Sequence, residues 1–294
     1  MKESMATTQQ SESSDATRSY TMPSNTTRYL RAFQGLMLRD LHVLRREIFP
    51  LVIRICMNPL LFLFVFTYIM PHMSAASNPT AALAAGNNGG FGTVILPGLM
   101  AVAIMFSGIA AVALPLSQEF GITREIDDRV MCPLPVAFVA LEKVVFSALQ
   151  SVIAAAVVFP LAYFLPTVPV QVHVSNWAFL ITVLILASLV SGALGLTIGT
   201  SVKPAQIGLI FGVVVMPITF LGCVYYPWEN LKFNPWLQRL ILVNPIVYMS
   251  EGLRSALTPG VQHMSNFAIL GMLMLSLVIL SAVGIRGFLR RVIG

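Results

Sequence analysis

Residues 144–202 read VVFSALQSVIAAAVVFPLAYFLPTVPVQVHVSNWAFLITVLILASLVSGALGLTIGTSV, without a single Asp, Glu, Lys or Arg. A bilayer core of about 30 Å takes roughly 20 helical residues. The stretch is therefore long enough for two crossings, at 142–165 and 177–201, with Pro166 and Pro169 marking the turn between them. The window 55–118 is equally free of charge and holds two more, at 50–70 and 94–117, separated by a Gly/Asn/Ala-rich stretch at 71–93. Windows 204–228 and 255–285 supply one crossing each, at 205–225 and 267–287. Of the 294 residues, 56% are hydrophobic and 10% charged, and the mean hydropathy is +0.81. Soluble domains carry about 25% charged residues, so the chain reads as an all-α integral membrane protein of six transmembrane helices.

Orientation follows from where Lys and Arg lie, because cytoplasmic flanks retain them. With the N-terminus inside, eight fall on the inner side up to Arg54. Arg124, Arg129, Lys143, Lys203, Arg286, Arg290 and Arg291 add seven more, against only Lys232, Arg239 and Arg254 outside. Both termini are placed in the cytoplasm. The net charge of +6 gathers beside apolar segments, which points to lipid headgroups and not to nucleic acid. Residues 1–27 are rich in Ser and Thr, lack the apolar run of a cleaved signal, and read as a disordered cytoplasmic tail. Asn25-Thr26-Thr27 matches the glycosylation pattern but sits on that inner side.

Residues 28–49 repeat apolar side chains at Leu30, Phe33, Met37, Leu41, Leu44 and Ile48, with Arg31, Arg39, Arg45 and Arg46 elsewhere. That spacing describes an amphipathic helix on the inner membrane surface, serving as an anchor or also as a contact for a cytoplasmic partner. Gly195 with Gly199, and Gly208 with Gly212, allow close helix approach, either within the subunit or between subunits. Pro59, Pro97, Pro115 and Pro217 permit bends in or near spans. Arg54, one turn into the first span, can snorkel to the inner headgroups or touch cargo.

Catalytic chemistry finds no constellation. His42, His72, His173 and His263 lie on separate segments with no HExxH pattern, and Cys56, Cys132 and Cys223 form neither CxxC nor a plausible disulfide pair. No metal site is expected. A phosphate-cradling GxxxxGK[ST] loop is impossible, since the four lysines follow Met1, Glu142, Val202 and Leu231. ATP hydrolysis, if used, belongs to another polypeptide. No carboxylate lies deep within the six spans, which argues against ion coupling inside the membrane.

Two polar segments stand out. Residues 119–135, EFGITREIDDRVMCPLP, join spans two and three and carry Glu119, Arg124, Glu125, Asp127, Asp128 and Arg129 ahead of Pro133. Mixed charge on a short helix suits a polar groove on a protein, and it equally suits a solvated connection. Outside, residues 227–262 are too long for a turn and too apolar for a free loop. Asn234-Pro235 opens a short interfacial helix, and Asn244-Pro245 offers a cap with Pro at the first helical position of a second helix dipping into the outer leaflet. Glu251 and Arg254 on that helix pair at i, i+3 or serve an outer gate.

Four stretches in order on this frame carry a resemblance: Ile95-Leu-Pro-Gly-Leu99, Met131-Cys-Pro-Leu-Pro135, Leu221-Gly-Cys-Val-Tyr-Tyr-Pro227, and Asn244-Pro-Ile-Val-Tyr-Met-Ser-Glu-Gly-Leu-Arg254. Over about residues 28–291 the chain resembles the ABC-2 type permeases. These are the membrane subunits of bacterial ABC exporters that include daunorubicin-type drug, Nod-factor and surface-polysaccharide exporters. The resemblance implies a type V exporter-like domain over 50–294, with an interfacial helix before it and re-entrant helices before the last span. It implies a coupling helix at about 119–131 that would seat Glu119, Arg124, Glu125, Asp127, Asp128 and Arg129 in an ATPase. It further implies two ATPase subunits that bind MgATP, a second permease subunit forming a homo- or heterodimer, and residence in the plasma (inner) membrane. A path for amphipathic cargo would be lined by Met105, Phe106, Met216 and Phe220, with Tyr225 and Tyr226 at its mouth, although such side chains are also ordinary membrane packing. Asn244, Pro245, Tyr248, Glu251 and Arg254 would form the outer re-entrant gate. The uncharged 71–93 loop departs from the pattern. The competing reading is an ATP-independent carrier, channel or scaffold, which would tolerate charge reversal at Glu125 or Asp128.

The charge asymmetry makes a topological prediction. Alkaline phosphatase fused after Gly294 should be inactive and fused after Lys232 active, and the opposite pattern would invert the assignment.

Overall fold

A computed structural model describes residues 25–46, 48–49, 52–53, 60–61, 64–69, 90–120, 135–164 and 172–293. The described residues are helical, with turns and no strand. We label the helices α1 (Asn25–Arg46), α2 (Gly90–Gln118), α3 (Val136–Phe164), α4 (Trp177–Ser201), α5 (Pro204–Phe220), α6 (Pro235–Leu240), α7 (Pro245–Leu257) and α8 (Asn266–Ile293). Four of them, α2, α3, α4 and α8, contain stretches long and apolar enough to cross a membrane. Apart from residues 52–53, 60–61 and 64–69, the first span expected at 50–70 lies outside the described residues, with Arg54, Cys56 and Pro59. So do residues 71–89 of the outer loop and residues 121–134 between spans two and three.

α2 is the centre of the bundle. It packs against α3, α4 and α7, and α4 in turn packs against α8. Its Ile95, Leu99, Ile104, Met105, Ile109, Ala113 and Leu116 are all buried. Small residues set the spacing: a Cβ added at Gly195 would meet the Ile109 Cα at 2.9 Å, and one at Gly199 would meet the Ala113 Cα at 3.1 Å. The Gly195/Gly199 pair therefore serves packing inside the subunit. Nothing lies within 4 Å of the corresponding positions at Gly208 and Gly212, so that second pair opens outward.

Serines fill the α3–α4 contact, and three of them keep their hydroxyls bonded. Ser147 Oγ donates to the Val144 carbonyl at 2.8 Å, Ser191 Oγ to the Ser188 carbonyl at 2.8 Å, and the Ser151 and Ser191 hydroxyls approach to 3.3 Å. Ser147, Ser151 and Ser191 each bond a carbonyl of their own helix, and the Ser151 and Ser191 hydroxyls also meet across the contact. Along α4 and α8, Thr197 Oγ1 donates both to the Ala193 carbonyl at 2.9 Å and across to the Leu280 carbonyl at 3.0 Å.

Several expected boundaries move. α3 begins at Val136 instead of at 142, so Glu142 and Lys143 lie inside the helix and are buried. The sequence reading placed the end of the span at the charge, but a charge with a buried partner need not mark an end. α2 begins at Gly90, so residues 90–93 assigned to the loop are helical, and Thr93 is buried. α1 starts at Asn25, taking the last three residues assigned to the tail. It lies against α3, with Leu36 and Leu44 buried and Met37 packed beside them, while Leu30, Leu38, Leu41 and Val43 are exposed.

α5 differs most from its expectation. A short 3₁₀ turn at Pro204–Gln206 leads into an α-turn at Ile207–Ile210, a π segment at Phe211–Val215 and a last α-turn at Met216–Phe220. Pro217 has no N–H for the Val213 carbonyl four residues back, and the Met216 N–H reaches five residues back to the Phe211 carbonyl. The helix ends at Phe220, five residues short of the expected 225, because the chain turns through Gly222 and Cys223. At about 1.5 Å per residue the run is about 25 Å long.

The turn that ends α5 presses on α2: a Cβ at Gly98 would come within 1.9 Å of the Val224 carbonyl oxygen. Gly98→Ala should therefore displace the turn and cost at least the 1–3 kcal/mol typical of overpacking, roughly. Gly208→Ala, on the open face, should leave stability unchanged or raise it by up to about 1 kcal/mol. Melting both variants in one detergent checks the contrast, and equal losses would place Gly98 in the wrong environment.

Candidate functional site

The polar side chains gather at the two ends of the bundle. One end, which the Lys and Arg count expects to face outward and which is for that reason termed the outer end, is built on α7. Asn244 caps it, its Oδ1 accepting from the Ile246 N–H at 3.1 Å, and Pro245 follows at the first helical position, where no donor is missed. Asn244 also donates through Nδ2 to the Ile218 carbonyl at 2.6 Å, tying the cap to α5. Tyr248 donates its hydroxyl to the Leu242 carbonyl at 2.7 Å. Every residue of α7 from Ile246 to Leu257 is buried by the surrounding helices. The helix expected to dip into the outer leaflet is thus wrapped in its own protein.

Glu251 and Arg254 lie at the centre of this outer end, both with fully enclosed side chains. They form the i, i+3 ion pair that the spacing allowed, through Glu251 Oε1 and Arg254 Nη1. Glu251 Oε1 also accepts from the Trp228 N–H at 2.9 Å, and Oε2 accepts from the Met264 N–H at 3.0 Å. Arg254 Nη2 donates to the Cys223 carbonyl at 3.0 Å. Cys223 has φ of 52°, in the left-handed region that residues with a Cβ avoid. Ser250 Oγ holds the adjacent Gly222 carbonyl at 2.7 Å. One ion pair on α7 thereby fixes the exit of α5, the start of the 3₁₀ segment Trp228–Phe233, and the entry to α8.

The inner end joins different elements. Lys143 Nζ lies 2.8 Å from Glu119 Oε1, with both side chains nearly enclosed, so the end of α2 is tied to α3 across the 121–134 segment. Glu119 and Phe120 continue α2 as a wider turn. The ring of Phe120 meets that of Phe288 edge-on at 5.9 Å, and the Arg291 guanidinium lies over it at 4.9 Å. Glu119, Glu142 and Glu251 are buried carboxylates, none of them in the middle of an expected span. Glu119 follows the last α-helical turn of α2, Glu142 lies in the second turn of α3 and Glu251 in the middle of α7; Glu119 and Glu251 form the ion pairs described.

Of the expected coupling residues, Glu119 is the one described; Arg124, Glu125, Asp127, Asp128 and Arg129 lie outside the described residues. The expected path residues divide. Met105 is fully buried in the packing between α2 and α5, and presents no open surface. Phe106 is half-buried, its ring 6.5 Å from that of Phe211 on α5. Met216 and Phe220 are 45% and 53% exposed. Tyr225 and Tyr226 are half-buried, and the Tyr225 ring lies 6.0 Å from that of Phe220. Phe220, Tyr225 and Phe106 with its Phe211 neighbour thus concentrate aromatic surface along α5. Among the described residues, no group of His, Cys, Asp and Glu could hold a metal ion.

Sequence reasoning missed the Glu119–Lys143 tie and the inward turn of Arg291, having counted both cations only as inner-side charges. The available signal was the placement of an acid and a base at the facing ends of antiparallel neighbours. Breaking a buried ion pair by removing one partner costs about 3–5 kcal/mol, so Arg254→Met should lower stability by that order. The double variant Glu251→Leu/Arg254→Met should recover only part of it, because the Trp228 and Met264 N–H groups then lose their acceptor. Denaturation of the three proteins in one detergent measures this. Full recovery in the double variant would show that those two backbone bonds contribute nothing.

Residues 31–258 match the ABC-2 type transporter family. The Inner membrane transport permease YadH of Escherichia coli strain K12 is 31% identical over 163 residues, which cover 54% of this chain and 60% of YadH. The YadH proteins of Escherichia coli O157:H7 and Shigella flexneri match to the same extent, so the aligned stretch spans about three-fifths of these relatives. The family match extends from within α1 through the outer polar network to the end of α7, and on that basis the chain, a multi-pass membrane protein, belongs to the ABC-2 type transporter family.

Proposed function

We propose that the chain is the transmembrane permease subunit of an ATP-driven exporter that moves an amphipathic substrate outward across the bacterial inner membrane. In this reading it has six spans, with both termini in the cytoplasm, and the 227–262 segment re-enters the outer leaflet. It pairs with a second permease subunit and two copies of a separate ATPase that supplies MgATP hydrolysis. Family membership supports a transport role, and the sequence contains no phosphate-cradling loop of its own. The observation that supports the reading is the point at which the mixed-charge 119–131 stretch of the sequence begins. That stretch leaves the central helix at a buried ion pair, Glu119 with Lys143, so a push on it from a partner has a stiff point of application.

The proposed work of the chain is to interconvert two packings. An ATPase that binds one packing more tightly than the other shifts the population toward it, and only that differential affinity can do so. α2, α3 and α4 pack on several sides, whereas α5 has a broken hydrogen-bond ladder and an open face. Discrete repacking is therefore expected at α5. Cargo would pass along the surface of Phe106, Met216 and Phe220 toward Tyr225 and Tyr226. Met105, enclosed in the subunit, leaves the set. Aromatic and thioether side chains adapt to varied apolar shapes, which suits an amphipathic cargo.

The test is reversal of charge in the segment. Asp127→Lys with Asp128→Lys should reduce recovery of a co-purifying ATPase with the tagged chain, and should abolish ATP-driven flux, while the chain still inserts in the membrane. Unchanged ATPase recovery would remove the coupling assignment. A chain that purifies alone and carries flux in vesicles without ATP would be an ATP-independent carrier.

A further inference from the structure

α8 extends past the expected end of the last span and brings Arg286, Arg290 and Arg291 to the inner face. Arg286 and Arg290 are exposed, as charges that mark the cytoplasmic side should be. Arg291 turns inward. Its Nη1 lies 2.9 Å from the Gly199 carbonyl oxygen, 3.0 Å from that of Val202 and 3.4 Å from that of Thr200, all at the inner end of α4.

Those carbonyls need an outside donor for a reason written in the sequence. The last carbonyls of a helix have no partner within it. Val202 is already extended, at φ −114° and ψ 145°, and the residue four places after Thr200 is Pro204, which has no N–H. A cation at this position also meets the negative end of the helix dipole. The other side of the same guanidinium faces the Phe120 ring at 4.9 Å. Phe120 packs with Leu116, Val144, Leu196 and Phe288 in one apolar cluster, to which α2, α3, α4 and α8 each contribute. Phe120, the second residue of the 119–131 segment, is also the last residue described at its start.

We propose that Arg291 is a positioning residue: it clamps the root of the 119–131 segment, at Phe120, to the inner ends of α4 and α8, so that displacement of the segment moves these helices together. The inference rests on the permease reading above. Without the clamp, Glu119–Lys143 still ties the root to α3, and the coupling of the root to the inner end of α4 rests on the apolar α2–α4 packing alone. The planar guanidinium is required, because it bonds through its edge and stacks through its face at once. A lysine can do the first but presents no planar face to the ring.

The experiment uses the full chain with its co-purified ATPase in lipid nanodiscs, carrying spin labels at Gln118→Cys and Lys203→Cys in a background of Cys56→Ser and Cys132→Ser. In the otherwise native chain the label separation should be the same with ADP and with a non-hydrolysable ATP analogue. In Arg291→Ala it should differ between the two nucleotides, and Arg291→Lys should fall between. Thr197→Val, which loses the α4–α8 bond to Leu280 away from this cluster, serves as the destabilised control and should keep the native separations. A separation in Arg291→Ala that is fixed and equal to that of the native chain, or one that already changes with nucleotide in the native chain, overturns the clamp. If no ATPase is retained by any form, the permease reading fails instead, and the clamp is judged on the chain alone. Arg291→Ala must then broaden the nucleotide-free distance distribution relative to both the native chain and Thr197→Val, and an unchanged distribution overturns it.

Discussion

The outer half of the molecule depends on one enclosed ion pair. Glu251 and Arg254 lie where neither water nor lipid headgroups can solvate them, so each must find its partners within the chain. The partners they find are backbone groups of three separate segments, at Cys223, Trp228 and Met264. A pair of this kind contributes little net stability compared with apolar packing. Its effect is on geometry: alternative packings that separate the pair leave a charge unmatched. That penalty fixes where α5 turns, how the chain returns through the 3₁₀ segment and α6, and where α8 begins.

The inner end uses the same physics with different parts. Glu119 and Lys143 close the gap between α2 and α3, and Arg291 closes the one between α2, α4 and α8. Charged groups thus stand at both ends of a bundle whose middle is held by small residues and turned-in serines. The backbone in the bilayer must satisfy itself. α5 replaces part of its α-helical ladder with a π segment, and it is the element that both inner ties leave out.

The apolar helices were legible because their signal is a length. The 177–201 span coincides with α4, and α2, α3 and α8 differ at their ends by a few residues. Several of the errors share one cause, which is that a charge was read as a boundary or as an exposed marker. Lys143 is buried because Glu119 is there to receive it, and the two are 24 residues apart. Arg254 was counted as an outer-side charge, yet it is enclosed. Arg291 was counted as one of three equivalent arginines, yet its side chain leaves the other two. Local motifs fared better where the chemistry is local: Asn244-Pro245 starts α7 as its residue types require, and Glu251 meets Arg254 at the spacing of a helical turn. The left-handed Cys223 could not be read in advance, because a non-glycine there is held by an arginine 31 residues later.

Under the permease reading, this division of the molecule constrains where work can be done. A helix packed on all sides cannot shift alone without opening a void or a clash in a close-packed interior. α2 is in that condition, with its buried face spread over α3, α4 and α7. Movement of its inner end is therefore movement of a body that includes its neighbours. α5 is in the opposite condition, with Gly208 and Gly212 facing open space and Leu209, Val213, Met216 and Phe220 exposed. Its outer end is nonetheless pinned, through Asn244 at Ile218 and through Arg254 at Cys223. A helix pinned at one end and carrying a π segment in its middle bends at that segment more easily than it slides. The surface that bends is the one that carries Met216 and Phe220, so the compliant part of the fold and the proposed cargo path are the same helix face.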